Sequence, residues 1–420
     1  MSLSPEEDEA LGRIDGARLL DLTLAWAEVN SGSRNLAGLA RMEGLLLEAF
    51  APLGEPSLHA PQPATRMEAD GAIVPEALGR TIEVTARPEA PCRVLITGHY
   101  DTVFGADHPF QSVSWLRPGV VNGPGVADMK GGLAVMLGAL SAVAASPLAD
   151  RIGWTVLLNP DEEIGSPGSA GLLAARARSA ACGLTFEPAL ADGTLAGDRP
   201  GSGNFAIHVE GRAAHAGREP EKGRNAVLAA ADLALRLARL AAPDLKVNIA
   251  RIEGGGPDNL VPDSAVLRLN MRPATPASAL RALAALDEAT AAIEARHEVR
   301  LTRHGGFARP PKPLDRNQER LFALVRAAGR DLGLDIRWTP SGGVCDGNNL
   351  AATGLAVVDT LGVRGGAIHS IGEYLIVESL AERARLAALV LLRIARDGFA
   401  RAAPAEAAEA GSPPVAQAAS

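Results

Sequence analysis

Short apolar runs alternate with stretches of helical periodicity between Thr81 and Gly203. In chain order these segments are a strand at Arg93–Thr97, a helix at about Lys130–Ala145, a strand at Trp154–Asn159, a helix near Ser169–Ala180 and a strand at Leu184–Phe186. This order predicts an α/β domain built on a mixed sheet with helices on both faces. Polar motifs follow the predicted strands, and active sites of such folds gather at that edge of the sheet.

From Asn204 the order of predicted elements changes. The new segments are strand Phe205–Glu210, helix Asn225–Ala241, strands Lys246–Ile252 and Ala265–Met271, helix Ser278–Ala295 and strand Glu298–Arg303. The order β-α-β-β-α-β predicts an inserted ferredoxin-like domain. We therefore divide the chain into a first domain in two parts, residues 1–202 and 309–401, an inserted domain, residues 203–308, and a tail, residues 402–420. The tail is rich in Ala, Pro, Glu and Ser and is predicted to be disordered.

Composition excludes several classes of protein. With 420 residues, of which 47% are hydrophobic, the chain can bury more than one core. The net charge is -8 and the 41 basic residues are scattered among 49 acidic ones, so no nucleic-acid partner is expected. The three cysteines, Cys92, Cys182 and Cys345, are spaced too irregularly for a disulfide framework or a cysteine zinc site. We find neither a leader nor a membrane-spanning run and expect a cytoplasmic protein without a membrane partner.

His99 and Asp101 lie two residues apart at the end of the predicted strand that contains Val94–Thr97. Because side chains alternate along a strand, both fall on one face. Asp101 could accept a hydrogen bond from one imidazole nitrogen while the other nitrogen binds a metal ion. A plain hydrogen-bonded His-Asp pair is the alternative, and this segment alone leaves both interpretations open.

Carboxylates follow the next two polar turns. Asp128 stands before a predicted helix and is either an N-cap or a carboxylate that bridges two metal ions. Glu162 and Glu163 come directly after a predicted strand, and neighbouring side chains there point in different directions. They suit two roles, one binding a metal ion and the other handling a proton on water, although an acidic solvated loop is the alternative.

Glu187 and His369 extend the group of candidate ligands. Glu187 follows a strand, and His369 lies in a glycine-rich loop. Two histidines, an aspartate that can bridge and two or three glutamates form a complete set for two divalent ions. The donors are oxygen and nitrogen, without thiolate. The set as a whole therefore predicts a metal site more strongly than any single residue does.

The order and spacing of these motifs resemble a family of zinc-dependent hydrolases. It includes glutamate carboxypeptidase (carboxypeptidase G type), aminoacylase, acetylornithine deacetylase and succinyl-diaminopimelate desuccinylase, and the resemblance is closest to the glutamate carboxypeptidase branch. The resemblance implies Glu162 as general base and a cis peptide bond after Asp128. It also implies two metal sites, one formed by His99, Asp128 and Glu187 and the other by Asp128, Glu163 and His369. Asp101, as the expected hydrogen-bond partner of His99, is counted among the catalytic residues.

The inserted segment resembles the lid and dimerisation domain of this family, which implies a homodimer formed through that domain. His215 would reach the partner subunit's active site and steady the oxyanion. Asn259 would also contact the oxyanion, and Arg272 would bind the substrate's carboxylate, for which a planar guanidinium is suited.

Three further residues are assigned to the substrate by the resemblance. Arg199 is a second candidate for binding the carboxylate, and the paired glycines Gly342 and Gly343 would line the pocket. The following residue, Val344, is bulkier than the family's pattern, so the preferred amino acid stays open.

The expected cofactors are two divalent metal ions per subunit, with Zn²⁺ preferred over Co²⁺ or Mn²⁺. The expected reaction is cleavage of an amide or peptide bond next to a free carboxylate in a small substrate, releasing a C-terminal amino acid. Deacylation of N-acyl amino acids is the alternative. A non-catalytic small-molecule binder is a more distant one, and Glu162 argues against it because a binder needs no proton-transfer residue.

Overall fold

The computed structural model describes residues 3–401. The predicted tail, residues 402–420, lies outside them. The α-helices of the described chain are α1 (Pro5–Gly12), α2 (Gly16–Ala27), α3 (Leu36–Phe50), α4 (Gly131–Ala144), α5 (Ala170–Ala177), α6 (Ala226–Ala238), α7 (Pro276–His297), α8 (Arg316–Asp331), α9 (Asp346–Ala351) and α10 (Glu378–Asp397). Its strands are β1 (Glu55–His59), β2 (Thr65–Met67), β3 (Ile73–Pro75), β4 (Thr81–Ala86), β5 (Cys92–His99), β6 (Ser114–Arg117), β7 (Val120–Asn122), β8 (Ile152–Asn159), β9 (Cys182–Thr185), β10 (Leu195–Ala196), β11 (Ser202–Glu210), β12 (Ala214–His215), β13 (Leu245–Gly254), β14 (Leu260–Val261), β15 (Ser264–Pro273), β16 (Arg300–Arg309), β17 (Trp338–Thr339), β18 (Val357–Val358), β19 (Gly365–Gly366) and β20 (Tyr374–Ile376).

The described chain divides into two compact units. The first unit comprises residues 3–64, Glu76–Arg199 and Lys312–Arg401, and the second comprises Thr65–Pro75 and Pro200–Pro311. The sequence analysis placed all of residues 1–202 in the first domain, whereas the hairpin β2–β3 belongs to the second unit. In that unit the carbonyl of Met67 accepts a hydrogen bond of 2.7 Å from Arg268 Nη2. A hairpin this short carries too weak a pattern for its partner to be inferred from sequence.

The first unit is built on a six-stranded mixed sheet. Its strand order is β1-β4-β8-β5-β9-β18, in which β8, β5, β9 and β18 are parallel and the β1 and β4 pairings are antiparallel. Val94 and Ile96 of β5 pack in one buried cluster with α4 and α10, while Leu95 packs in another with α5 and α9. Because alternate residues face opposite sides of a strand, helices cover both faces, as predicted.

Helix α4 and the turn before it form one apolar segment, Val126–Ala144. Its length and composition are sufficient to cross a membrane, which the sequence analysis did not expect of any segment. Within the structure, 89% of this apolar stretch is buried. The helix packs against α2 and α10. It therefore has the surroundings of a core helix of the first unit.

The second unit contains a four-stranded antiparallel sheet with the order β13-β15-β11-β16. Helices α6 and α7 pack against this sheet around a separate buried cluster. The predicted ferredoxin-like arrangement is confirmed. Strands β12 and β14 extend the β11–β15 pair beyond Glu210 and Ser264, so that His215 lies opposite Leu260.

Candidate metal centre

Four candidate residues meet because they end or follow neighbouring parallel strands. His99 is the last residue of β5, Glu162 and Glu163 follow β8, and Glu187 follows β9. In the sheet, β5 lies between β8 and β9. The carboxyl ends of parallel strands meet at one edge, so this topology brings the four side chains together from distant parts of the sequence.

Asp128 and His369 reach the same place from loops. Asp128 lies before α4 in non-helical backbone, with φ -116° and ψ 87°, and the Asp128–Met129 peptide bond is cis, as the resemblance implied. His369 lies in the turn between β19 and β20 with φ 62°. Asp128 is therefore not the N-cap of α4, which was the alternative interpretation of this residue.

The two carboxylate oxygens of Asp128 face two different histidines. Oδ1 lies 3.1 Å from His99 Nε2, and Oδ2 lies 3.1 Å from His369 Nε2. On the first side, His99 Nε2 is also 3.6 Å from Glu187 Oε1. On the second side, His369 Nε2 is 3.1 Å from Glu163 Oε2. The contacts thus form two groups that share Asp128.

The spacing of the ligand atoms agrees with a metal centre. One atom each from His99, Asp128 and Glu163 lie within 4.8 Å of one another, and the same holds for His99, Glu162 and Glu187. All of these donors are nitrogen or oxygen, which suits Zn²⁺ and neighbouring divalent ions. The donor set therefore fits the metal ions that the motifs predict.

The electrostatics of the cluster favour a bound cation. Burial, together with the charge of Asp128, raises the pKa of Glu163 to about 7, and burial also raises the pKa of Glu187. Burial acts on Asp128 in the same sense, but hydrogen bonds from His369 and His99 hold the pKa of Asp128 well below its usual range. Hydrogen bonds to Asp128 and Glu163 raise the pKa of His369 to about 11. A positive charge at the point where the carboxylates converge would favour their ionised forms.

Asp101 is hydrogen-bonded to several parts of the site. The Nδ1 atom of His99 lies 3.1 Å from the Asp101 carbonyl oxygen and 3.3 Å from Asp101 Oδ1. The carboxylate also accepts hydrogen bonds from Ser33 Oγ at 2.6 Å and from the backbone N–H groups of Glu162 and Glu163, both at 3.1 Å. Asp101 therefore orients a candidate ligand and the loop that carries the two glutamates.

Asp161, which precedes Glu162 and Glu163 in the same loop, has a different environment. Asp161 accepts hydrogen bonds from the backbone N–H groups of Gly168 at 2.6 Å and Ser169 at 3.2 Å, and from Ser169 Oγ at 2.5 Å. These bonds tie the loop to the start of α5. The three consecutive acids after β8 are thus separated into one structural residue and two that face the site.

Glu373 is a residue that the sequence analysis missed. Its buried carboxylate accepts backbone hydrogen bonds from Gly125 at 3.2 Å, Ala127 at 2.9 Å and Asp128 at 3.0 Å. These bonds fix the loop that presents Asp128. A single glutamate four residues after His369 carries no distinctive pattern, so only the fold reveals this role.

Arg199 has protein partners in the first unit. Its Nε and Nη2 atoms donate to Asp359 at 2.8 and 3.1 Å, and Nη1 donates to Ser341 Oγ at 3.3 Å and to the Gly343 carbonyl at 3.1 Å. The resemblance made Arg199 a second candidate for binding the substrate's carboxylate. In the structure its guanidinium is buried against Asp359. Gly342 and Gly343 are exposed in the loop that Arg199 holds.

His215, Asn259 and Arg272 belong to the second unit. His215 is exposed, and its Nδ1 accepts a hydrogen bond of 3.1 Å from the backbone of Gly217. The Asn259 carbonyl accepts a hydrogen bond from Ala216, so His215 and Asn259 are neighbours. Arg272 lies near the far end of β15, where its Nε donates to Asn270 Oδ1 at 3.0 Å. The structure thus brings two of these three residues together.

The three cysteines are buried, and none of them forms a disulfide in the structure. Cys345 directly precedes α9, and burial raises the pKa of its thiol well above the ordinary value. This environment favours a packing role over a nucleophilic one.

Comparison with known proteins agrees with this geometry. Residues 95–393 match the Peptidase family M20/M25/M40. Carboxypeptidase G2 of Pseudomonas sp. (strain RS-16) is 31% identical over 339 residues, which cover 78% of this chain and 79% of that protein. A succinyl-diaminopimelate desuccinylase of Marinobacter nauticus is 29% identical over 329 residues, covering 72% of this chain and 84% of that protein.

A solved structure extends the agreement to the fold. The di-peptidase Dug1p from Saccharomyces cerevisiae gives a TM-score of 0.71 at 15% identity, with 93% of this chain and 98% of that chain covered. The resemblance inferred from the motifs is therefore confirmed. The chain belongs to the peptidase family M20/M25/M40 and is a hydrolase that acts on peptide or amide C–N bonds.

Proposed function

We propose that the protein uses two divalent metal ions to hydrolyse an amide or peptide bond next to a free carboxylate, releasing a C-terminal amino acid. The observation that carries this proposal is Asp128, whose two oxygens each lie 3.1 Å from a different histidine. A carboxylate with two separate partners is suited to bridge a pair of ions. The 31% identity to a carboxypeptidase G2 supports the bond type.

Each ion would take three protein ligands. His99, Asp128 and Glu187 would hold one ion, and Asp128, Glu163 and His369 the other. When bound, such ions lower the pKa of water and polarise a carbonyl oxygen. We prefer Zn²⁺ because the donors are imidazole and carboxylate, and Co²⁺ and Mn²⁺ accept similar ligands.

Glu162 would transfer the protons of the reaction. One of its carboxylate oxygens lies within 4.8 Å of ligand atoms of His99 and Glu187, and its backbone N–H is held by Asp101. Its carboxylate would accept a proton from the attacking water and deliver that proton to the leaving nitrogen. The C–N bond then breaks, giving a carboxylate and an amine.

Residues outside the metal centre would bind the substrate. Gly342, Gly343 and Arg272 would contact it on the carboxylate side. His215 and Asn259 lie on the β12–β14 extension, beyond Ser264. Along β15, Ser264 and Arg272 are separated by roughly 27 Å, at about 3.4 Å per residue. One small substrate cannot reach both groups within a single second unit.

A homodimer resolves this separation. In a symmetric pair, His215 and Asn259 would come from one subunit and Arg272 from the other. We therefore propose that the protein is a homodimer and that each active site contains residues of both subunits. Steadying the oxyanion would be the role of His215 and Asn259.

Deacylation of N-acyl amino acids is the second candidate. It is favoured by the 29% identity to a succinyl-diaminopimelate desuccinylase. Both reactions cleave an amide next to a carboxylate, and they differ in whether the acyl part is a peptide or a simple acid.

The test is an assay of the protein after removal of metal ions with a chelator and reconstitution with Zn²⁺, Co²⁺ or Mn²⁺. The substrates are matched sets of peptidyl and N-acyl amino acids, with the corresponding C-terminal amides as controls. We expect activity only with metal ions, two ions per subunit by elemental analysis, and preference for the free acids. Equal activity of the chelated protein, or equal cleavage of acids and amides, would contradict the proposal.

A further inference from the structure

A buried group of three charged side chains lies where the chain leaves and re-enters the first unit. Arg199 and Lys312 flank the segment Pro200–Pro311 of the second unit. Their backbones form a bridge, with N···O distances of 2.9 Å in both directions. Both side chains donate to Asp359, which follows β18 directly; Lys312 Nζ lies 2.8 Å from Asp359 Oδ2.

All three charged side chains are buried. Asp359 is 0% exposed, Lys312 is 1% exposed and Arg199 is 7% exposed. Lys312 Nζ also donates to the Gly197 carbonyl at 3.2 Å. Burial opposes ionisation of Asp359, but the charges of Arg199 and Lys312 lower its pKa to about 2. The carboxylate is therefore ionised and holds two cations together.

The bidentate pair with Asp359 fixes the plane of the Arg199 guanidinium. Nε and Nη2 are taken by the carboxylate, which directs Nη1 to Ser341 Oγ and the Gly343 carbonyl. Ser341 Oγ in turn accepts a hydrogen bond of 3.2 Å from the Gly343 backbone. The conformation of Ser341–Gly343 therefore depends on where Asp359 places the arginine.

Asp359 also packs closely against Gly347, which lies a few residues after the loop Ser341–Gly343. Helix α9 begins just after the loop, and a Cβ atom added at Gly347 would lie 2.7 Å from both Cβ and Oδ2 of Asp359. Only glycine allows this approach. Asp359 thus contacts the helix that follows the loop and orients the arginine that holds the loop itself.

We propose that Asp359 is a positioning residue for substrate binding, which acts through Arg199 on the loop Ser341–Gly343, and that Lys312 balances the buried charge. The inference rests on the proposed function, in which Gly342 and Gly343 line the pocket for a carboxylate-bearing substrate. It gives Arg199 an indirect role in place of direct contact with the substrate.

The first experiment is the steady-state kinetics of Asp359→Asn with the best peptidyl or acyl amino acid substrate. Loss of a hydrogen bond to a charged group weakens substrate affinity by about tenfold or more. We therefore expect KM to rise by about that factor. We expect kcat to change by less than about threefold and the metal content to stay at the wild-type value. Asp335→Asn, at an exposed aspartate paired with Arg337, is the matched control and should behave as wild type.

A double variant separates positioning from simple charge balance. Asp359→Asn leaves two cations buried together, whereas Asp359→Asn combined with Lys312→Met leaves one. The double variant should therefore regain much of the melting temperature that the single variant loses. Its KM should stay high because Arg199 still lacks a bidentate acceptor. If KM returned to the wild-type value together with the melting temperature, Asp359 would be a charge-balancing residue only.

Ser341→Ala tests the loop without disturbing the buried charges. It removes one of the two loop acceptors of Arg199, and we expect KM to rise by about threefold to tenfold with kcat retained. An unchanged KM in this variant would overturn the proposed link between Arg199 and the substrate.

Hydrogen exchange tests the loop independently of catalysis. In substrate-free protein, the backbone amides of Gly342 and Gly343 should exchange about tenfold faster in the double variant than in wild type. This measurement remains decisive if the wild-type protein fails to cleave any carboxylate-bearing amide, which would contradict the proposed function alone. Unchanged exchange in the double variant would contradict the positioning role itself.

Discussion

The two units of the chain present their candidate functional residues in different ways. In the first unit, six side chains from five separate segments, Asp128 among them, form the candidate metal centre, and most of them are buried. In the second unit, His215 is exposed, and Arg272 lies near the other end of the sheet. The candidate metal centre is therefore assembled within one unit, whereas the roles proposed for His215 and Arg272 require a second subunit.

This contrast predicts which substitutions affect only the chain that carries them. Changes among the candidate metal ligands and at Glu162 should alter metal binding or proton transfer within one chain. A change at His215 should affect the active site of the neighbouring chain. The following predictions test this contrast, beginning with the largest expected effect.

Changing the adjacent residues Glu162 and Glu163 to glutamine, one at a time, should impair different properties of the enzyme. Glu162→Gln should lose about 10² to 10⁴ in kcat and keep both metal ions because it removes only the proton acceptor. Glu163→Gln should lose metal because its oxygen lies 3.1 Å from His369 Nε2 in the second group of ligands. Elemental analysis after dialysis distinguishes them, and equal metal loss in both variants would refute separate roles.

His215→Ala should lose roughly 10² to 10³ in rate while retaining its metal ions, since it removes the proposed donor to the oxyanion. Mixing it with Glu162→Gln should restore about a quarter of wild-type activity. After free exchange half of the dimers are mixed, and each has one site with an intact base and an intact partner histidine. His304→Ala, a change at another histidine of the second unit, is the control and should retain activity.

No recovery after verified exchange of subunits would contradict the shared active site. His215 would then act within its own chain or have no part in the reaction. The comparison between the two units would lose its main functional consequence.

Arg272 should distinguish free acids from amides. A charge-assisted pair is worth about 1.5 to 3 kcal/mol, so amidation of the substrate's carboxylate should lower kcat/KM by roughly 10- to 150-fold. Arg272→Met should lower activity on the acid and remove most of this discrimination. Arg251→Met, at an exposed position on β13, is the matched control. Comparable rates for acid and amide in wild type would leave Arg272 with a structural role.

The smallest effect is expected for a helix cap in the second unit. Thr275 accepts a hydrogen bond of 3.1 Å from the Ser278 backbone and caps α7. Thr275→Ala should lower the free energy of unfolding by about 1 kcal/mol in urea titrations and leave kcat/KM within about twofold. Thr290→Ala, in the interior of α7, is the control. A large loss of activity with Thr275→Ala would mean that catalysis depends on the local stability of α7.

Much of the candidate metal centre could be predicted because most of its residues lie at or just after the carboxyl ends of strands. His99, Glu162, Glu163 and Glu187 each end or follow an apolar run, and the parallel order of β8, β5 and β9 places them together. Asp128 was ambiguous, since an aspartate before a helix is usually a cap. Its backbone angles lie outside the helical region, and no local sequence rule specifies them.

The supporting residues could not be predicted from their own neighbourhoods. Glu373 is 245 residues from the Asp128 amide that it binds, and Asp359 is 160 residues from Arg199. An isolated acid in a loop has the same local pattern whether it is solvated or buried. The pairing of Arg199 with Asp359 could not be predicted for the same reason, because it is visible only in the folded chain.

Anomalous X-ray diffraction from crystals of the Zn²⁺-loaded protein, measured at the zinc edge, tests the central claim most directly. We predict two peaks on either side of the Asp128 carboxylate, separated by about 3.5 to 4 Å. One peak should contact His99 and Glu187, and the other Glu163 and His369. A single peak at full occupancy, or two peaks that do not share Asp128, would contradict the proposed dinuclear centre.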